Sequence, residues 1–171
     1  MGFLEFAKDR YSVRSFSSQA IEQEKLDLII EAALIAPTAK NNQAWRCYVL
    51  RSEEALAKVN ELSRCIYGAP VVLLFTYSKE EEWKSPFEEG VHSGVEDASI
   101  VATHAMLEAW ELGVQSLWVN LFPNSETEKA FGLPESERSV LLMPLGYAAE
   151  GSEPSPRHAL SRPADELVSY L

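Results

Sequence analysis

Arg10-Tyr11-Ser12-Val13-Arg14 sets two arginines and a serine at alternate positions. In an extended chain alternate side chains share a face, so two guanidinium forks and a hydroxyl project together. Guanidinium pairs bidentately with phosphate, and a hydroxyl adds one more bond. The simpler reading on spacing alone is a solvated arm whose arginines pair with surface acids. A second polar stretch, Ala36-Pro37-Thr38-Ala39-Lys40-Asn41-Asn42-Gln43-Ala44-Trp45, gathers amides around one cation. Amides both donate and accept, which suits the edge of a planar heterocycle. A helix-ending loop that satisfies its own backbone is the plain alternative. The third stretch runs from Leu112 to Phe122 through Leu117-Trp118-Val119. It reads either as core strand or as a flat apolar slot against one face of a ring.

Other chemistries lack their signatures. There is no Gly-x-Gly-x-x-Gly, no P-loop and no Gly-x-Ser-x-Gly elbow. Cys47 and Cys65 are too few for a disulfide framework or a zinc site, and His92, His104 and His158 show no ligand spacing. Fifteen Lys and Arg against 26 Asp and Glu give a net charge of −11. That balance argues against nucleic acid and anionic membrane surfaces as partners, so an anionic ligand needs a few placed cations. No apolar run approaches the roughly 20 residues of a bilayer span. Met1-Gly2-Phe3-Leu4-Glu5 carries no secretory pattern. Two ordinary thiols fit a cytoplasmic location.

The elements that must position these groups follow from periodicity. Residues 3–8 read as a short helix and Arg10–Phe16 as an extended segment. Leu26, Ile29, Ile30, Ala33 and Leu34 mark an amphipathic helix stopped by Pro37. A strand at Cys47–Leu50 and a helix at 53–63 follow, then Val71–Phe75, an apolar run that predicts a strand buried on both faces. The charged stretch from Lys79 to Gly90 reads as a loop or short exposed helix. Residues 94–112 form a long Ala-rich helix, central to the fold, with Gly113 placed to cap it. Gln115–Val119 is a candidate strand. Ser125-x-x-Glu128 has capping-box spacing for a short helix ended by Gly132, and Val140–Leu145 is another buried strand. From these elements alone the chain is one α/β-class domain over 1–171, with 148–171 as a Pro- and Ser-rich tail.

Taken in order, the three stretches resemble the nitroreductase family of flavoproteins. The resemblance continues through Phe131-Gly132-Leu133-Pro134, Leu142-Met143-Pro144-Leu145-Gly146-Tyr147, Ser155-Pro156-Arg157-His158 and Arg162-Pro163. It implies an α+β fold with a mostly antiparallel central sheet flanked by helices. It also implies an intertwined homodimer whose tails cross between subunits, and two FMN sites at the interface. Under it, Arg10 and Arg162 are phosphate ligands, and Ser12 and Arg14 contact the ribityl and pyrimidine end, with the phosphate as the other option for Arg14. Pro37, Thr38, Asn41 and Gln43 contact the isoalloxazine, and Leu117, Trp118 and Val119 pass close to the ring. The implied activity is FMN-dependent oxidoreduction: NADH or NADPH delivers hydride to flavin N5, and a nitroaromatic, quinone-like or other small electrophilic acceptor takes it. A non-catalytic flavin-binding protein and a dehalogenase or flavin-consuming relative are the alternatives. Ala44, Val114 and Asn120 depart from the family's usual Pro, Leu and Gly.

Overall fold

The apolar run after Pro70 becomes β2, Val71–Ser78, buried at every position. A computed structural model, which describes residues 2–171, sets it beside β1 (Trp45–Leu50) and β4 (Glu137–Gly146). A two-residue strand, β3 (Gln115–Ser116), completes a sheet of order β1-β2-β4-β3. Every pairing is antiparallel, so the α/β reading gives way to the α+β architecture that the resemblance implied. Register fixes the corners: Tyr77 lies opposite Trp45 and Arg138, and Val71 opposite Leu145.

Among the described residues the helices that accompany the sheet are α1 (Phe3–Asp9), α2 (Gln23–Leu34), α3 (Glu53–Leu62), α4 (Gly94–Glu111), α5 (Asn124–Ala130) and α6 (Ala164–Leu167). Alternate strand residues face opposite sides. Leu73, Phe75, Met143 and Leu145 therefore meet α2 and α4, while Val72, Leu74 and Leu142 meet Val59 of α3 and the arm residue Val13. On α4 a stripe of Ala98, Ala102, Ala105 and Ala109 is fully buried, which lets α2 approach closely. Val95 and Ile100 of the same helix stay exposed, so its own chain covers only part of its apolar surface. No helix among the described residues is long and apolar enough to cross a membrane.

Gly113 ends α4 as expected. With φ at 74° it takes the left-handed turn of a Schellman motif, its N–H donating to Trp110 O and that of Val114 to Ala109 O. Two expectations are corrected. Helix α5 starts at Asn124 behind Pro123, which places Ser125 inside the first turn instead of at the cap. Glu128 turns away to accept from Ser139 N and Oγ, at 2.9 and 3.1 Å. The predicted strand at 115–119 keeps a regular ladder for two residues only. Leu117 donates to Pro144 O, but Pro144 has no N–H to return the next bond. Pairing resumes at Val119, which exchanges both bonds with Leu142.

Candidate functional site

The arm Arg10–Phe16 is extended and stitched to the sheet edge. Val13, fully buried, donates to Ser116 O at 3.1 Å, and Phe16 pairs with Ala148. With Val13 inward, Arg10, Ser12 and Arg14 share the other side, as alternation requires. The C-terminal tail folds back along this arm. Tyr11 donates from its hydroxyl to Ser152 O and sets its ring edge-on to Trp110, 5.4 Å between centroids. His158 Nε2 lies 3.1 Å from Lys8 O.

The result is a surface pocket of about 210 Å³ lined by Arg10, Ser12, Arg14, Arg157 and His158. Arg46, Lys58, His92, Arg138 and Arg162 find carboxylates, but among the described residues no carboxylate pairs with Arg10, Arg14 or Arg157. In a chain of net charge −11, three arginines line one pocket without the acid partners that the simpler reading expects, although Arg14 and Arg157 are exposed. The groove between α1, α2 and α4 is larger, about 440 Å³. Its walls are mainly apolar, Phe3, Phe6, Ile35 and Leu107, and its polar groups are two carboxylates, Glu108 and Glu111, and one histidine, His104, with no arginine or lysine for an anion.

The polar loop after Pro37 is built differently. Lys40, Asn41 and Gln43 all have positive φ, 53°, 55° and 52°. Left-handed backbone at a non-glycine residue costs about 1 kcal/mol or more, so surrounding bonds must hold all three. Thr38 Oγ1 accepts from Gln43 N at 3.1 Å, and Gln43 Nε2 donates to Asn41 Oδ1 at 3.0 Å. Ala39 N donates to Asp97 Oδ1 at 2.8 Å, while Asp97 Oδ2 accepts from Ser93 Oγ at 2.7 Å. Asp97 is 2% exposed at the start of α4. The 78–93 loop braces the other side: Glu81 O accepts from Asn42 Nδ2, and its carboxylate pairs with Arg46 at 2.6 Å. Behind the loop, burial and the neighbouring Glu137 push the Tyr48 phenol up to about 12, and burial pushes the Cys47 thiol up to about 12. Neither is a nucleophile at neutral pH.

Leu117 and Val119 are buried in the α3-side core, whereas Trp118 faces the α4 side, half-buried. The side chains of Leu117 and Val119 therefore do not face an open surface, and their N–H groups already donate to Pro144 O and Leu142 O. Among the described residues, the backbone N–H groups of Trp118 and Asn120 have no acceptor, which leaves two donors on the open sheet edge.

The arm and the loop do not meet in one chain. Asp97, which holds the loop, and Trp110, which holds Tyr11, are separated by about 20 Å along α4. The loop leads into β1 at one sheet edge and the arm lies on β3 at the other, about 14 Å apart across three strand spacings. Pro37 and the Thr38, Asn41 and Gln43 side chains thus sit at one corner, and Arg10, Ser12 and Arg14 at the opposite one. Arg162 joins neither, since it is held by Glu166 on the exposed tail at 2.7 and 2.9 Å.

Residues 7–67 and 62–147 match the family model described as Nitroreductase family. The chain belongs to the nitroreductase family. A solved nitroreductase family protein of Clostridium difficile 630 superposes with a TM-score of 0.93 at 36% identity, covering 99% of this chain and 98% of that one. A Methanothermobacter thermautotrophicus protein named for NADH dehydrogenase and NAD(P)H nitroreductase activity is 29% identical over 157 residues, 88% of this chain and 79% of its own. The FMN reductase [NAD(P)H] of Bacillus subtilis is 28% identical over 166 residues, 87% of this chain and 67% of that protein.

The departures from the usual nitroreductase pattern each have a local setting. Ala44 is fully buried and its carbonyl accepts from Ser78 N. Val114 is buried in the Schellman turn. Asn120 is tied by its side chain to Trp118 and to β4. Sequence reasoning assigned no role to Arg157, Asp97 or Glu81. For Asp97 a signal is present: it lies one and two turns before Val101 and Ala105 on the inward stripe of a nitroreductase helix, where an acid needs a partner. Arg157 stands in the tail, far from Arg10 in sequence, and only the fold brings the two to one pocket.

Proposed function

We propose that this chain is an FMN-dependent NAD(P)H oxidoreductase whose site is completed by a second copy. The observation that carries the reading is the gathering of Arg10, Arg14 and Arg157, free of carboxylates, around one pocket of an acidic protein. Their donor set fits a terminal phosphate, with Ser12 beside it. At the loop corner Thr38, Asn41 and Gln43, next to Pro37, offer the mixed donors and acceptors that fit the edge of a planar ring. Lys40 adds a cation there. Free N–H groups at Trp118 and Asn120 suit a ring nitrogen or carbonyl. When bound, FMN supplies the centre that accepts hydride from NAD(P)H and passes it to a nitroaromatic, quinone-like or similar electrophilic acceptor.

Each subunit then contributes its arm corner to one site and its loop corner to the other. The protein binds and orients, and the strained loop holds its polar groups in place before any ligand arrives. The tail supports this arrangement. Leu160, Leu167, Val168, Tyr170 and Leu171 are all exposed, and among the described residues 160–171 hydrogen-bond only among themselves and to Arg157. Such apolar groups gain by docking on a partner. Arg162 on that tail joins a phosphate site only by leaving Glu166, so in this reading Arg157 is the principal tail ligand.

The test is the visible spectrum of the purified protein after FMN titration. A flavin absorbance that bleaches with NADH or NADPH and recovers on adding a quinone supports the reading. A protein that takes up no FMN contradicts it.

A further inference from the structure

Trp118 has one polar side-chain atom, the indole N–H, and the structure shows where it goes. Trp118 Nε1 donates to Asn120 Oδ1 at 2.7 Å, and Asn120 Nδ2 donates to Val140 O on β4 at 3.0 Å. An indole only donates and a carbonyl only accepts, so both bonds form in just one orientation of the amide. Asn120 is itself exposed, yet its side chain is committed at both ends. It clamps an aromatic ring on the sheet edge to the neighbouring strand.

We infer that Asn120 is a positioning residue that fixes the Trp118 indole as a wall of the acceptor space and so makes the site selective for slim planar acceptors. The inference rests on the flavin-site reading given above. Glycine, the usual residue at this position in the resemblance, offers no side chain for such a clamp. Without the clamp a half-buried indole regains the freedom of its side-chain torsions. The backbone donors of Trp118 and Asn120 open on the same edge, so the ring borders the groups that meet the ligand. A fixed wall discriminates by shape, and small differences in acceptor size at a packed wall change rates by about 10- to 200-fold.

The first arm of the test needs no flavin. The chain has four tryptophans, Trp45, Trp83, Trp110 and Trp118, hence four indole N–H signals in a nitrogen-15 correlation spectrum. Asn120→Gly should move the Trp118 signal and speed its exchange with water while leaving the other three in place. An unmoved Trp118 signal overturns the clamp. The second arm uses the FMN-loaded enzyme and compares kcat/KM for benzoquinone and for a bulky substituted naphthoquinone. Asn120→Gly should narrow the preference for the small quinone about tenfold. In a Trp118→Phe background, which has no indole donor, the same substitution should change the preference less than about twofold. Equal effects in both backgrounds, or a shifted indole signal with unchanged preference, overturn the role. A wild-type protein that binds no FMN overturns instead the flavin reading beneath it, and the indole signal separates that failure from failure of the clamp.

Discussion

At the Arg10–Arg14 arm the backbone is ordinary and the charged side chains are left without acids. At the Thr38–Gln43 loop the side chains are bonded and the backbone is strained. The arm is held by Val13 in the core and by backbone bonds to β3 and to the chain just past β4. The loop is held by a buried carboxylate and by an ion pair from the 78–93 segment. One corner is built for charge and the other for shape. Substitutions at the two should therefore fail in different ways.

The largest effect is expected at the arm. Arg10→Ala combined with Arg14→Ala removes two charge-assisted partners and should weaken FMN binding on the order of a thousandfold. The thermal melt of the apoprotein should hardly move, because neither guanidinium pairs with an acid. Fluorescence titration and a circular dichroism melt read the two quantities, and undiminished affinity would remove the arm from the phosphate side.

Asp97→Ala should show the opposite profile. It leaves Ala39 N–H and the buried Ser93 hydroxyl without acceptors, which should cost about 2–4 kcal/mol of stability. A urea unfolding curve measures it, and an unchanged midpoint would mean that the loop holds its shape without Asp97.

A smaller pair of effects decides which tail arginine serves the pocket. Arg157→Ala should weaken FMN about tenfold or more, and Arg162→Ala less than about threefold. The reverse order would show that the tail shifts when it meets its partner and carries Arg162 into the site.

The smallest effect concerns pH. Burial raises the Cys47 thiol from an ordinary 9.0 to about 12 and, with Glu137, the Tyr48 phenol from 10.0 to about 12. The fold favours the protonated forms, so this contribution is complete below about pH 9 and fades as pH climbs toward 12. Both residues lie on β1, behind the loop. Melting temperature should fall over that range, and Cys47→Ala should make the fall shallower. An identical slope in the variant would show that the thiol is not involved.

Much of the frame is legible in the sequence. Leu26, Ile29 and Ala33 keep helical period and pack inward, Gly113 closes α4, and the run after Pro70 is the buried strand. These are local signals, and local physics decides them. Strand direction is not legible, because burial on both faces is common to parallel strands and to a covered antiparallel one. The missing bond partner at Pro144 shortens β3, and Glu128 exchanges a capping role for Ser139 on β4. Both depend on residues outside the element concerned. At the site, alternation places Arg10, Ser12 and Arg14 on one side, opposite Val13. Arg157 and Glu81 act through contacts between segments far apart in the chain, which no spacing encodes, and helical spacing marks Asp97 as inward without revealing its partner Ala39. The strain at Lys40, Asn41 and Gln43 is likewise imposed by the braces around the loop.

If one site takes its charge from one subunit and its shape from the other, mixed dimers reveal it most directly. One parent carries Arg10→Ala with Arg14→Ala, the other Asn41→Ala with Gln43→Ala, and neither alone should retain FMN. After equal mixing and reassortment, half the dimers are mixed, and each mixed dimer holds one site with both corners intact. Bound FMN should return to about a quarter of the wild-type level. No recovery in mixed dimers whose formation is verified by mass spectrometry would contradict the shared site.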